Sequence, residues 1–147
     1  MPPLEIKKYP DNVLLKKCEA VKGITERERK IFDEMLFTMR HFCGIGLAAP
    51  QIGISRKMIV AEAEERIIKL ANPEVIDIRG SCNMTEGCLS IPGVTVGIER
   101  PDRVVVSGLN EKGEAVEVKA NGILARVLQH EIDHLRGKLI IDYRRRE

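Results

Sequence analysis

The clearest periodic segment of the chain runs from about Thr25 to Cys43, where Ile31, Phe32, Met35, Leu36, Met39, Phe42 and Cys43 recur at helical spacing among charged residues. That spacing predicts an amphipathic helix with one face on a core. Thr25 followed three residues later by Glu28 is a capping-box pattern, and Gly44 suits the left-handed position that closes a helix. A second stripe of Ile123, Val127, His130 and His134 predicts a helix from near Asn121 to Gly137, with both histidines on its inward face.

Between these helices the pattern shortens. Met58–Val60, Ile67–Ile68, Val75–Ile76, Val94–Val96, Val104–Val106 and Val116–Val118 are short β-branched runs separated by turn residues, and they predict mostly antiparallel strands. The clearest hairpin joins Val104–Leu109 to Ala115–Lys119 through a loop in which Gly113 supplies a positive φ. Too few helices alternate with strands for a parallel doubly wound sheet. Gly44–Gln51 is rich in small residues and suits a pocket wall or a plain helix-to-strand connection. It lacks the glycine spacing of a phosphate loop, and Pro50 removes a donor. Leu139–Tyr143 reads as a short closing strand or extension. No repeat or composition break divides the chain, so the fold expected over residues 1–147 is a single α+β domain. Its short, mostly antiparallel sheets would pack around a C-terminal metal-binding helix, with one further helix near the N-terminus.

A chain of 147 residues can bury roughly two-thirds of the surface its unfolded form exposes. With 3% aromatic residues and no Trp, its core must be aliphatic. Basic and acidic residues nearly balance at 24 and 22, which argues against direct DNA binding and against a polybasic membrane anchor. Only Arg144–Arg146 is locally basic. Cys18, Cys43, Cys82 and Cys88 show no Cys-x-x-Cys spacing, and no apolar signal segment precedes them; the expected setting is a reducing cytoplasm.

The chemistry concentrates in His130-Glu131-Ile132-Asp133-His134, which on a helix sets two imidazoles one turn apart with a carboxylate beside them. The bland alternative is a pair of hydrogen-bonded core histidines, with Glu131 an ordinary helix carboxylate. A catalytic metal site keeps three protein ligands and an open position, so a third donor must come from elsewhere. Cys88 is the best candidate because Gly87 and Pro92 constrain its loop; Cys82 and Cys43 are rivals. A lone cysteine is more often a small buried hydrophobe. Asp133 is an oxygen donor whose helical position points away from the two histidines.

Three segments in this order, Gly44–Gln51, Glu86-Gly87-Cys88-Leu89-Ser90 and Gln129–His134, resemble the three motifs of the peptide deformylase family. The resemblance extends from near the N-terminus to about Tyr143. It implies a hydrolase that removes the formyl group from the N-terminal formyl-methionine of newly made polypeptides. It further implies one divalent metal ion held by Cys88, His130 and His134, and Glu131 as the base that takes a proton from metal-bound water and then delivers it to the departing amine. Soft thiolate and imidazole donors suit iron(II), zinc, nickel or cobalt, and the family implies iron(II). The Gln51 amide and the Leu89 backbone N–H would stabilise the oxyanion, although alone Gln51 reads as an ordinary polar loop residue. Ile45 and Gly46 would line the substrate channel, Gly46 by offering bare backbone to an extended peptide; Met84, Ile123 and Val127 are further pocket candidates. Glu86 would orient a ligand or the loop, or else be an exposed carboxylate.

Two departures from the family stand out. Thr95 lies where some relatives carry an arginine that contacts the peptide, leaving Arg100 as the next basic residue. The chain also stops soon after Tyr143, whereas many bacterial members continue into a longer helix associated with ribosome docking. Arg144–Arg146 would then offer only transient electrostatic contact with the ribosome. Two other functions compete. A zincin-type protease would need a third His or Glu downstream, yet the remaining histidine is His41 and no glutamate follows before Glu147. A silent peptide- or metal-binding module would be favoured by loss of Glu131, Gln51 or a ligand, and all are present.

Overall fold

The structure, a computed structural model, describes residues 1–144. Helix α1 (Glu26–His41) starts at the expected capping box: the Thr25 N–H donates to Glu28 Oε1 at 2.8 Å, and Thr25 Oγ1 accepts from the Arg27 N–H. Its end differs from expectation. The left-handed residue is Cys43, at φ 59°, because the Gly44 N–H already turns back to Met39 O at 2.9 Å. Gly44 is needed for space instead, since a Cβ there would lie 2.9 Å from Leu89 Cδ1.

Among the described residues seven strands follow α1: β1 (Gly46–Ala48), β2 (Met58–Ala63), β3 (Arg66–Arg79), β4 (Cys82–Glu86), β5 (Val96–Arg100), β6 (Arg103–Leu109) and β7 (Ala115–Asn121). Five form one antiparallel sheet in the order β1-β2-β3-β6-β7, while β4 and β5 pair separately. The β6–β7 hairpin has Gly113 at φ 79°, as its loop predicts. Strand β3 unites the Ile67–Ile68 and Val75–Ile76 runs, with Asn72 at φ 52° between them. There the chain bends instead of turning, and the Asn72 side chain bonds both backbone groups of Val21.

Strand β2 explains the unbroken apolar run Met58–Ala61, because it is covered on both faces. Met58 and Val60 pack with Phe32, Met35 and Met39 of α1. Ile59 and Ala61 join the core of helix α2 (Gly122–Leu135), with Leu70, Val104 and Val106 opposite Leu124, Leu128 and Ile132. A smaller cluster of Leu14, Ile91, Val96, Ile98, Leu139 and Ile140 lies beneath the two-stranded sheet. Where a short closing strand or extension is expected, Ile140–Tyr143 forms a 3-10 turn. It forms because the Asp142 carboxylate caps its own turn through the Leu139 N–H, which leaves Leu139 and Ile140 to fill that cluster.

Candidate metal centre

Helix α2 is held by Leu124, Ala125 and Leu128, all almost fully buried, and that packing fixes which way its other face points. His130 and His134 emerge from it toward Cys88, which sits two residues past the end of β4. One donor atom from each of the three lies within 4.8 Å of the others, and Cys88 Sγ is 3.4 Å from His134 Nε2. Neither Cys82 nor Cys43 joins this group; both are exposed. Asp133 also stays out, turned toward Arg100 and Tyr143 as its helical position predicts.

A carboxylate orients one of the candidate ligands. Glu86 Oε1 is 2.9 Å from His130 Nδ1, which leaves Nε2 as the available nitrogen. Glu86 is therefore the orienting carboxylate rather than an exposed one, and it is bonded in turn by Arg100 and Arg126. Burial raises the Glu86 carboxyl, but the His130 and Arg100 hydrogen bonds outweigh it and hold the pKa at about 2. Burial, reinforced by the positive fields of His130 and Arg100, keeps His134 neutral to well below the usual histidine range. Its Nδ1 is buried and has no hydrogen-bond partner among the described residues.

Beside the group lies a cleft of about 510 Å³. Apart from buried His134, every residue expected at the site lines it: Cys88 and His130; Glu131, Gln51 and Leu89; and Ile45, Gly46, Met84, Ile123 and Val127. Ile45, Met84 and Ile123 are large apolar side chains left partly exposed at this cleft. Gln51 is 2% exposed and firmly placed: Oε1 accepts from the Ala48 N–H at 2.9 Å, and Nε2 faces Ser90 Oγ at 3.2 Å and Cys88 Sγ at 3.6 Å. The Leu89 N–H makes no backbone hydrogen bond among the described residues. Glu131 is buried with Oε1 unpartnered, and burial pushes its carboxyl up to about 7.

Gly46 carries a constraint its sequence context did not reveal. A Cβ there would lie 2.5 Å from Glu131 Oε2 and 2.6 Å from Val127 Cγ1, so the strand passes directly against that carboxylate. Arg100, the next basic residue after Thr95, is 5% exposed and committed to Glu86 and Asp133, so it is not free to contact a peptide. Thr95 is exposed and lies outside the cleft lining. Arg100, Asp133 and Tyr143 were not foreseen as a cluster, whereas Arg126 was legible in principle, standing one turn before His130 on the same helix face.

A family model described as polypeptide deformylase matches residues 3–147. The peptide deformylase of Thermodesulfovibrio yellowstonii is 49% identical over 144 residues, covering 95% of this chain and 87% of that protein. That of Halothermothrix orenii is 47% identical, covering 97% and 94%. Among solved structures, the Thermotoga maritima peptide deformylase superposes with a TM-score of 0.93 at 41% identity, covering 97% of both chains. The Ehrlichia chaffeensis peptide deformylase, in complex with actinonin, superposes at 0.95 with 37% identity, covering 99% of this chain and 91% of that one.

Proposed function

Since this chain belongs to the polypeptide deformylase family, a family of hydrolases that remove the formyl group from N-terminal formyl-methionine, we propose that Cys88, His130 and His134 hold one divalent metal ion and that Glu131 moves the proton of the hydrolysis. The observation that carries this reading is the convergence of three ligand atoms at a cleft that Cys88, His130 and the buried Glu131, with its unpartnered Oε1, line together. One thiolate and two imidazoles make a three-ligand set of the open, catalytic kind. Glu86 on His130 supplies the outer partner that fixes a ligand's tautomer, and the buried, neutral His134 suits a nitrogen donor. We assign iron(II) as the ion in cells, with zinc, nickel and cobalt as chemically compatible substitutes. When bound, the ion lowers the pKa of water and polarises the formyl oxygen.

The chain's own residues do the rest. Glu131 accepts the proton of the attacking water and returns it to the amine that leaves with the peptide. Gln51 Nε2, aimed by the Ala48 bond to its Oε1, donates to the oxygen that becomes negative, together with the Leu89 N–H. Ile45, Met84, Ile123 and Val127 offer an apolar wall to the methionine side chain. Strand β1 is the edge of its sheet, and its outer side accepts the peptide as an added strand.

The reaction site belongs to one catalytic domain spanning residues 1–147, working in a bacterial or bacterium-like cytoplasm. No helix among the described residues is long and apolar enough to cross a membrane. Contact with the ribosome is transient and electrostatic, through Arg144 and the two arginines after it; Arg145 and Arg146 lie outside the described residues. The deciding experiment is formate release from formyl-Met-Ala-Ser, against acetyl-Met-Ala-Ser, by anaerobically prepared protein loaded with iron(II) or nickel. Release from the formyl peptide alone, reduced by about 10²–10⁴ in Glu131→Ala, is expected. Absence of release from folded, metal-loaded protein overturns the reading.

A further inference from the structure

Four elements meet in one buried charge cluster behind His130. Glu86 ends β4, Arg100 ends β5, Asp133 stands on α2, and Tyr143 closes the C-terminal turn. Arg100 Nε and Nη2 grip the Glu86 carboxylate, while Nη1 donates to Asp133 Oδ2 at 2.9 Å and to Tyr143 Oη at 3.3 Å. The Tyr143 hydroxyl donates to the same Asp133 oxygen at 2.6 Å. We propose that Tyr143 is a positioning residue for His130, acting through Asp133, Arg100 and Glu86, so that the C-terminal turn holds the metal site in register. The proposal rests on the deformylase reading of that site.

The physical link is the rigidity of the guanidinium. Its N–H groups form a planar fork of fixed geometry, so the side of Arg100 that grips Glu86 cannot be aimed independently of the side that faces Asp133 and Tyr143. Tyr143 closes that second side into a three-membered arrangement in which every pair is bonded. Without the hydroxyl, Arg100 Nη1 has one acceptor instead of two and Asp133 Oδ2 one donor instead of two. The guanidinium then swings toward Asp133, the Glu86 carboxylate follows, and the 2.9 Å bond that orients the His130 ring is drawn off line. Arg126 opposes the shift, because it holds Glu86 from another side and is itself tied to Ile98 O and Cys82 O. The expected effect is therefore smaller than loss of Glu86 itself.

The Tyr143 ring has two cations over it, the Arg100 guanidinium at 5.0 Å and Lys138 Nζ at 4.1 Å from its centre, and Lys138, whose side chain bonds neither Arg100 nor Asp133 among the described residues, supplies the control. Tyr143→Phe keeps the ring and removes the hydroxyl; Lys138→Ala removes the lysine's ring contact and leaves the hydroxyl chain. Each protein is loaded with cobalt(II) and studied at a temperature where circular dichroism shows it folded. Chelator competition gives cobalt affinity, visible absorption reports ligand geometry, and turnover of formyl-Met-Ala-Ser gives kcat and KM. Tyr143→Phe is expected to weaken cobalt(II) binding by about 3–10-fold, below the roughly 10–100-fold typical of losing a partner bonded directly to a ligand. It should also shift the visible bands and lower kcat more than it raises KM. Lys138→Ala is expected to lower Tm while leaving cobalt affinity and spectrum unchanged. Wild-type affinity and spectrum in Tyr143→Phe, or equal shifts in Lys138→Ala, overturn the proposal. Wild-type protein that binds cobalt(II) yet releases no formate overturns the deformylase reading, while the affinity comparison still decides the role of Tyr143.

Discussion

Gly46 has little freedom to change, because β1 and the Glu131 carboxylate are separated only by the space its missing side chain leaves. Gly46→Ala is expected to displace that carboxylate and to lower kcat/KM by about 10–100-fold, since a misplacement near 1 Å can cost that much. Metal content and secondary structure should stay unchanged, and metal analysis with circular dichroism checks both. Glu86→Gln keeps the size and loses the charge that faces Arg100, Arg126 and His130. It should weaken metal binding by roughly 10–100-fold, read by chelator competition. What was visible in the sequence at this scale is what lies close together in it. His130, Glu131 and His134 share one helical turn and announce themselves. Glu86, Arg100 and Tyr143 are separated by 14 and 43 positions, and only the fold makes them neighbours.

At the scale of single elements, α1 tests whether its written cap is its physical one. Thr25→Ala removes the side-chain acceptor for the Arg27 N–H and should cost about 1 kcal/mol, read from denaturant unfolding. Glu28 adds a pH signature. Hydrogen bonds from Thr25 outweigh burial and, with Arg56, hold its pKa at about 2, below an ordinary 4.5. A carboxyl whose folded pKa is depressed favours the folded state once ionised, so its contribution is complete above pH 4.5 and is lost as pH falls toward 2. The stability gap between the wild type and Glu28→Gln should shrink across that window, measured by unfolding at each pH. Both helices were legible because their periodicity spans several turns. Strands β1 and β4 were not: Gly46–Ala48 is too short to show alternation, and Cys82–Glu86 is largely polar. They are strands because β2 and β5 lie beside them. The bend in β3 escaped for a related reason, since Asn72-Pro73 reads locally as a turn and only its bonds to Val21 reveal a continuous strand.

For the whole molecule, the candidate ligands tie α2 to the loop leaving the two-stranded sheet, so an ion there cross-links parts that otherwise meet through side chains. Removing it with a chelator should lower Tm. Restoring it at about 1,000 times its Kd should return roughly 4 kcal/mol, or about 8–16 °C, in a thermal melt. Such linkage was not readable along the chain, because sheet order depends on which strands pair, whereas the α+β class followed from the texture of the runs alone. The bare edge of β1 reaches further. An unpaired strand is a template on which copies of a protein can stack, and long flat edges invite aggregation. This one spans three residues, gives the Ala48 N–H to Gln51, and runs into a 3-10 turn whose second residue, Pro50, has no N–H to offer. So few main-chain bonds cannot nucleate a ladder between copies. On the proposed reading, in which β1 takes the peptide as an added strand, so few bonds would also hold the deformylated product weakly, and the brevity that guards against self-assembly would speed its release.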